Sequence, residues 1–143
     1  MGLDIDSSDD EKHFHIGYIG FTIMRSLFIL SHDKEKYEQY LKMVNSSTFW
    51  GESDYTDDDW DIFYESLGDL SILINHSDVD GILTSDECKG LLNELNIDID
   101  KIYNDSTIAE NNPNACNKYI NSMREFKDIV KYAAENNVNL IFG

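Results

Sequence analysis

Proline is almost missing from this chain: Pro113 stands alone among 143 residues. That suits long helices, which a proline ring would interrupt. Cysteine is nearly as scarce, with only Cys88 and Cys116, so no disulfide framework holds the fold. Bases are few, 11 Lys and Arg against 28 Asp and Glu. The basic stripes that neutralise nucleic-acid phosphates are therefore absent. Lys118, Arg124, Lys127 and Lys131 alternate with acids and apolar residues near the C-terminus and read as a solvated helix face. The most apolar run, Ile16 to Leu30, contains Arg25 and is too short to span a bilayer comfortably. The N-terminus is acidic and lacks the basic n-region of a signal peptide. These absences predict a soluble, reduced, cytoplasmic protein with no nucleic-acid and no membrane partner.

Catalytic signatures are missing too. The sequence has no glycine-rich phosphate loop and no serine in a nucleophile elbow, and neither cysteine has a neighbouring histidine. Carboxylates abound, but any acidic protein supplies pairs of them. A metal-assisted hydrolase using Asp78 and Asp80 stays an alternative that only geometry can support.

What is present is apolar content and negative charge. Apolar residues make up 41% of the chain, enough for a core and too many for a disordered acidic tail. The net charge is unevenly placed. Residues 51–110 hold 17 of the 28 acids with only Lys89 and Lys101 to offset them, a net of −15 out of −17. Such a field attracts cations and basic proteins and repels phosphate backbones.

Apolar periodicity predicts a mostly α single domain over residues 1–143. It should have about five helices and a small antiparallel sheet made by an N-terminal hairpin and a C-terminal strand. GLDID and KHFHIGY alternate in strand fashion around the turn SSDD. The run from Gly20 to Leu30 is apolar nearly all round and predicts a central buried helix. A second helix is expected over Lys34 to Val44. In the loop over residues 45–56, Phe49 and Trp50 are expected to pin the chain to the core. A third helix should begin near Asp57, whose neighbours Asp58 and Asp59 also suit the positive end of a helix dipole. It should continue through Trp60, Phe63, Tyr64, Leu67, Leu70 and Ile74. A fourth follows a Thr84–Glu87 capping box, with Cys88 on its apolar stripe as a core residue. IDIDKIY, residues 97–103, alternates and predicts a short extended segment. A last helix is expected from about Ala115 to Glu135, and VNLIFG as a closing strand.

Between the third and fourth helices stands HSDVDGILTSDE, residues 76–87. An EF-hand loop takes oxygen ligands at positions 1, 3, 5, 7, 9 and 12, with glycine at 6. With His76 at position 1, Asp78 falls at 3, Asp80 at 5, Gly81 at 6, Ile82 at 7, Thr84 at 9 and Glu87 at 12. The stretch, with its flanking helices, resembles the EF-hand family over about a fifth of the chain. The resemblance implies a single Ca²⁺ module held by Asp78, Asp80, the Ile82 carbonyl, Thr84 and Glu87. His76 departs from it, because a nitrogen at position 1 is a poor ligand for a hard cation. The metal-free reading takes the aspartates as turn formers, Gly81 as a positive-φ residue and Thr84 with Glu87 as a cap. It predicts no cofactor, with weak Ca²⁺ binding as its alternative. His13 and His15 share a strand face and, with His76 or an acid, would suit Zn²⁺. The opening MGLDI, the HSDVDG core and the closing ENNVNLIFG are also similar to small acidic bacterial and phage proteins of unassigned function, which implies no activity.

The leading functional expectation is a small non-enzymatic binding or inhibitor protein whose acids engage a basic toxin or defence protein. Immunity proteins and DNA-mimicking phage inhibitors work by this physics. Asp54, Asp57, Asp58, Asp59, Asp61 and Glu65 are the expected contact residues.

Overall fold

Alternation in the first sixteen residues becomes a hairpin. The computed structural model describes residues 2–46, 55–106 and 113–143. It pairs β1 (Leu3–Ser7) with β2 (His13–Ile16) antiparallel, Ile5 opposite Phe14. The closing strand β4 (Leu140–Phe142) lies against the other side of β1, with Ile5 opposite Phe142. A further strand, β3 (Gly81–Leu83), pairs with β4 and completes an antiparallel sheet of order β2-β1-β4-β3. β3 lies inside the EF-hand-like loop. Its three residues carry too little alternation to be read as a strand from sequence.

One face of the sheet is core. Leu3, Ile5, Phe14, Ile16, Leu83, Leu140 and Phe142 are buried on it. The opposite face carries Asp4, Asp6, His13, His15, Ile82 and Ile141 toward solvent. Two helices cover the core side. The central one, α1 (Tyr18–His32), buries every side chain from Met24 to Ser31, as its all-round apolar sequence predicts. The C-terminal one, α7 (Pro113–Asn136), brings Phe126 among Phe14, Phe21 and Phe28, with ring centroids 5.8–6.5 Å apart in tilted or edge-on contacts.

The remaining helices pack around this centre. Asp33 ends α1 and caps α2 (Lys34–Asn45), accepting from the amides of Glu35 and Lys36. The apolar stripe expected to make one helix from Asp57 to Ile74 is broken. α3 (Asp57–Ser66) stops, a 3-10 turn follows over Gly68–Leu70, and α4 (Ser71–Ile74) resumes for one turn. Gly68 is the cause: its φ of +61° leaves the right-handed helix at a position where a side chain would be strained. α5 (Ser85–Leu92) begins on the predicted capping box and packs along α7.

The extended segment expected at residues 97–103 is instead a helix, α6 (Ile99–Asp105). Asp98 accepts from the Lys101 amide and caps it, while its own amide donates to Ser31 Oγ at 3.0 Å. Local capping chemistry overrides the two-residue alternation there. The helix count among the described residues is thus seven rather than five, within the expected mostly helical class. Among the described residues no helix is long and apolar enough to cross a membrane. The expectation for Phe49 and Trp50 lies outside the described residues.

Candidate functional site

α3 is built to present acids outward while holding itself by its rings. Thr56 caps it reciprocally: the Asp59 amide donates to Thr56 Oγ1 at 3.2 Å, and the Thr56 amide donates to Asp59 Oδ2 at 2.8 Å. Phe63 is buried and stacks on Tyr40 of α2 with centroids 6.0 Å apart. Trp60 meets Tyr40 edge-on at 6.4 Å and lies 5.6 Å from Tyr64. An aromatic inner stripe therefore fixes the helix. Asp57, Asp58, Asp61, Ile62 and Glu65 are left on the exposed side.

The structure divides the six expected contact acids. Asp57 and Asp61 line one cleft of about 320 Å³ together with Trp60, Tyr64 and Asn75. Asp59 serves the cap and lines a different cleft, of about 470 Å³, between α3 and α2, together with Lys36 of α2 and Ser66 of α3. Asp58 and Glu65 are exposed beside Ile62 and line neither. Asp54 lies outside the described residues. Among the described residues Asp57, Asp58, Asp61 and Glu65 have no ion pair and no side-chain hydrogen bond.

The 76–87 loop is held differently. Gly81 has φ +102°, and a Cβ there would stand 3.2 Å from His76 Cε1, so the imidazole lies over the glycine. The His76 ring packs on Phe142 with centroids 4.1 Å apart. Its Nδ1 is 2.7 Å from the Ser77 carbonyl and its Nε2 3.2 Å from the Ile82 carbonyl. Asp80 accepts from Ser77 Oγ at 2.9 Å. Glu87 accepts from the Thr84 amide at 3.0 Å, and Thr84 Oγ1 from the Glu87 amide at 3.2 Å. Four of the five donors expected for calcium, all but Asp78, thus have a partner within the loop. Among the described residues no group of three or more His, Cys, Asp or Glu is arranged to hold a metal ion. The three histidines considered for zinc do not meet. His13 pairs with Asp6 at 2.7 Å and His15 with Asp4 at 2.6 Å on the outer sheet face, whereas His76 lies on Phe142.

Arg25 has no role in the sequence reading, and it joins α1 to the start of the loop. It is buried in α1, donates to the His76 carbonyl at 2.5 Å and sits over Phe21 at 4.1 Å. Burial lowers its pKa, opposed by Tyr40, Asp78 and Tyr64, which favour the charged form. Its Nε is buried with no acceptor, and no carboxylate comes within ion-pair distance. The signal for it was an arginine in an otherwise apolar helix, since a charge buried there demands a specific partner. Cys88 is fully buried, and burial, with Glu87 nearby, pushes its thiol up to about 12, where it is inert as a nucleophile.

No protein-family model matches the chain, and no curated protein or solved structure is significantly similar to it.

Proposed function

We propose that this is a non-enzymatic binding protein that engages a basic protein surface through the exposed acids of α3, in the manner of an immunity protein or a phage anti-defence inhibitor. One observation carries the reading. Asp57, Asp58, Asp61 and Glu65 project from a helix whose aromatic side packs on Tyr40, and none of their side chains is engaged inside the fold among the described residues. Carboxylates without internal partners, in a segment of net −15, retain their full attraction for an incoming cationic surface. The aromatic anchoring of α3 keeps the array in place, so little ordering cost falls on association.

The test begins with the products of genes adjacent to this one, screened for a basic toxin or defence protein. Binding is then measured by calorimetry across a salt series. The affinity should fall steeply between about 0.05 and about 0.5 M salt, where screening shortens to a few Å. An affinity that stays flat over that range removes α3 as the binding face.

A further inference from the structure

We propose that the cleft lined by Asp57, Trp60, Asp61, Tyr64 and Asn75 is the seat of one arginine side chain of the partner. The inference rests on the binding function just stated and narrows it to a single subsite. Its wall chemistry is the argument. Asp57, Asp61 and Tyr64 stand at i, i+4 and i+7 of α3, so one helix face carries two carboxylates and a phenol ring. Trp60 adds an indole 5.6 Å from the Tyr64 ring. Asn75, in the turn that ends α4, lines the cleft as well.

A guanidinium satisfies these walls together. It is flat enough to lie against the aromatic rings, and its N–H fork donates to carboxylates. An ammonium group offers the charge without the planar face. An anion is opposed by both aspartates. A metal ion finds only two carboxylates and an amide, with rings in place of further ligands. A cleft of about 320 Å³ has room for one long side chain rather than for a folded segment.

No internal group already plays this part. Neither the Asp57 nor the Asp61 side chain has a hydrogen bond or ion pair among the described residues. Arg25 does not line the cleft and is held by the His76 carbonyl and the Phe21 ring. The cleft is therefore more than a patch of acids. Its lining combines two aromatic rings with two carboxylates whose side chains lack a cation among the described residues.

The full chain is titrated with N-acetyl-argininamide, with the matching lysine, citrulline and glutamate amides in parallel. The Trp60 indole N–H shift is followed by NMR and assigned through Trp60→Phe. The arginine amide should give a saturable shift with Kd in the millimolar range. Lysine should bind several-fold more weakly, and the isosteric but uncharged citrulline and the anionic glutamate should give no saturable shift. Asp57→Asn with Asp61→Asn should weaken arginine binding about tenfold while the remaining amide spectrum keeps its dispersion. Asp100→Asn, on α6 and outside the cleft, should leave it unchanged. No saturable shift with arginine, an equal response to lysine or citrulline, saturable binding of glutamate, or indifference to the paired Asp changes would each overturn the assignment. If the subsite fails while the salt-dependent association persists, only the arginine seat is removed. If the salt dependence also vanishes, the binding function goes with it.

Discussion

Asp4, Asp6 and Asp9 of the N-terminal hairpin and Asp57, Asp58, Asp61 and Glu65 of α3 are chemically alike and structurally opposite. In the hairpin Asp4 and Asp6 pair with His15 and His13 across the strands. Asp9 accepts from Ser7 Oγ at 2.6 Å, from the Glu11 amide at 3.2 Å and from Tyr132 Oη at 2.5 Å. Those hydrogen bonds, Ser7's first and Tyr132's next, lower the Asp9 pKa, and the same bond pushes the Tyr132 hydroxyl up to about 12. In α3 the side chains of four acids have no hydrogen bond and no ion pair among the described residues. A carboxylate engaged at home holds the fold together, and one left without a partner is free to hold something else.

The strongest way to break this comparison is to neutralise α3. Asp57→Asn, Asp58→Asn, Asp61→Asn and Glu65→Gln together should lower affinity for a basic partner on the order of 100-fold at low salt. Thermal stability should shift by no more than the small amounts typical of surface changes. A collapse of the melting temperature would show that these acids hold the fold after all.

Next comes the loop, where Asp80 and Glu87 are engaged as the paired acids of the hairpin are. Gly81→Ala forces a side chain into a φ of +102° and against His76. Chemical denaturation should show a loss on the order of 1–2 kcal/mol. Thr84→Ala removes the acceptor for the Glu87 amide and should cost about 1 kcal/mol by the same measurement.

Smaller effects should follow pH. The hydrogen bond to Asp6 raises the His13 pKa. Its stabilisation is therefore fully present below the unfolded value near 6.5 and is lost as pH rises through the folded value. His13→Gln should lower the melting temperature in mild acid and leave it nearly unchanged well above neutrality. Asp9 has the opposite sign: its folded pKa is depressed, so its contribution holds above the unfolded value and fades as pH falls through the folded one. Asp9→Asn should then cost stability at neutral pH and little in strong acid. The smallest effect is expected from calcium. At about 5 mM it should leave the melting temperature where it was, since a ligand stabilises only what it binds. A clear rise would show that Asp80 can leave Ser77 and join Asp78 in holding the ion.

Much of the fold was legible. Alternation marks β1, β2 and β4, all-round apolarity marks α1, and the Thr84–Glu87 box marks the start of α5. α6 was not legible, because Ile99 and Ile102 are too few to show a helical period and IDID imitates a strand. The break at Gly68 was not legible either, since the apolar stripe continues through Leu67, Leu70 and Ile74 on both sides of it. The break matters to the candidate site. Without it α3 would run on straight, and Asn75 would not turn back to line the cleft beside Asp57 and Asp61.

The sequence by itself determined where the negative charge gathers and where helices begin. Composition is additive along the chain, and a cap is a bond between residues three apart. Only the tertiary structure decided which acids are engaged. Asp4 meets His15 across 11 residues and Asp9 meets Tyr132 across 123, and such partners are set by how sheet and helices pack. α3 packs through its rings instead, and that is why its acids were left facing outward.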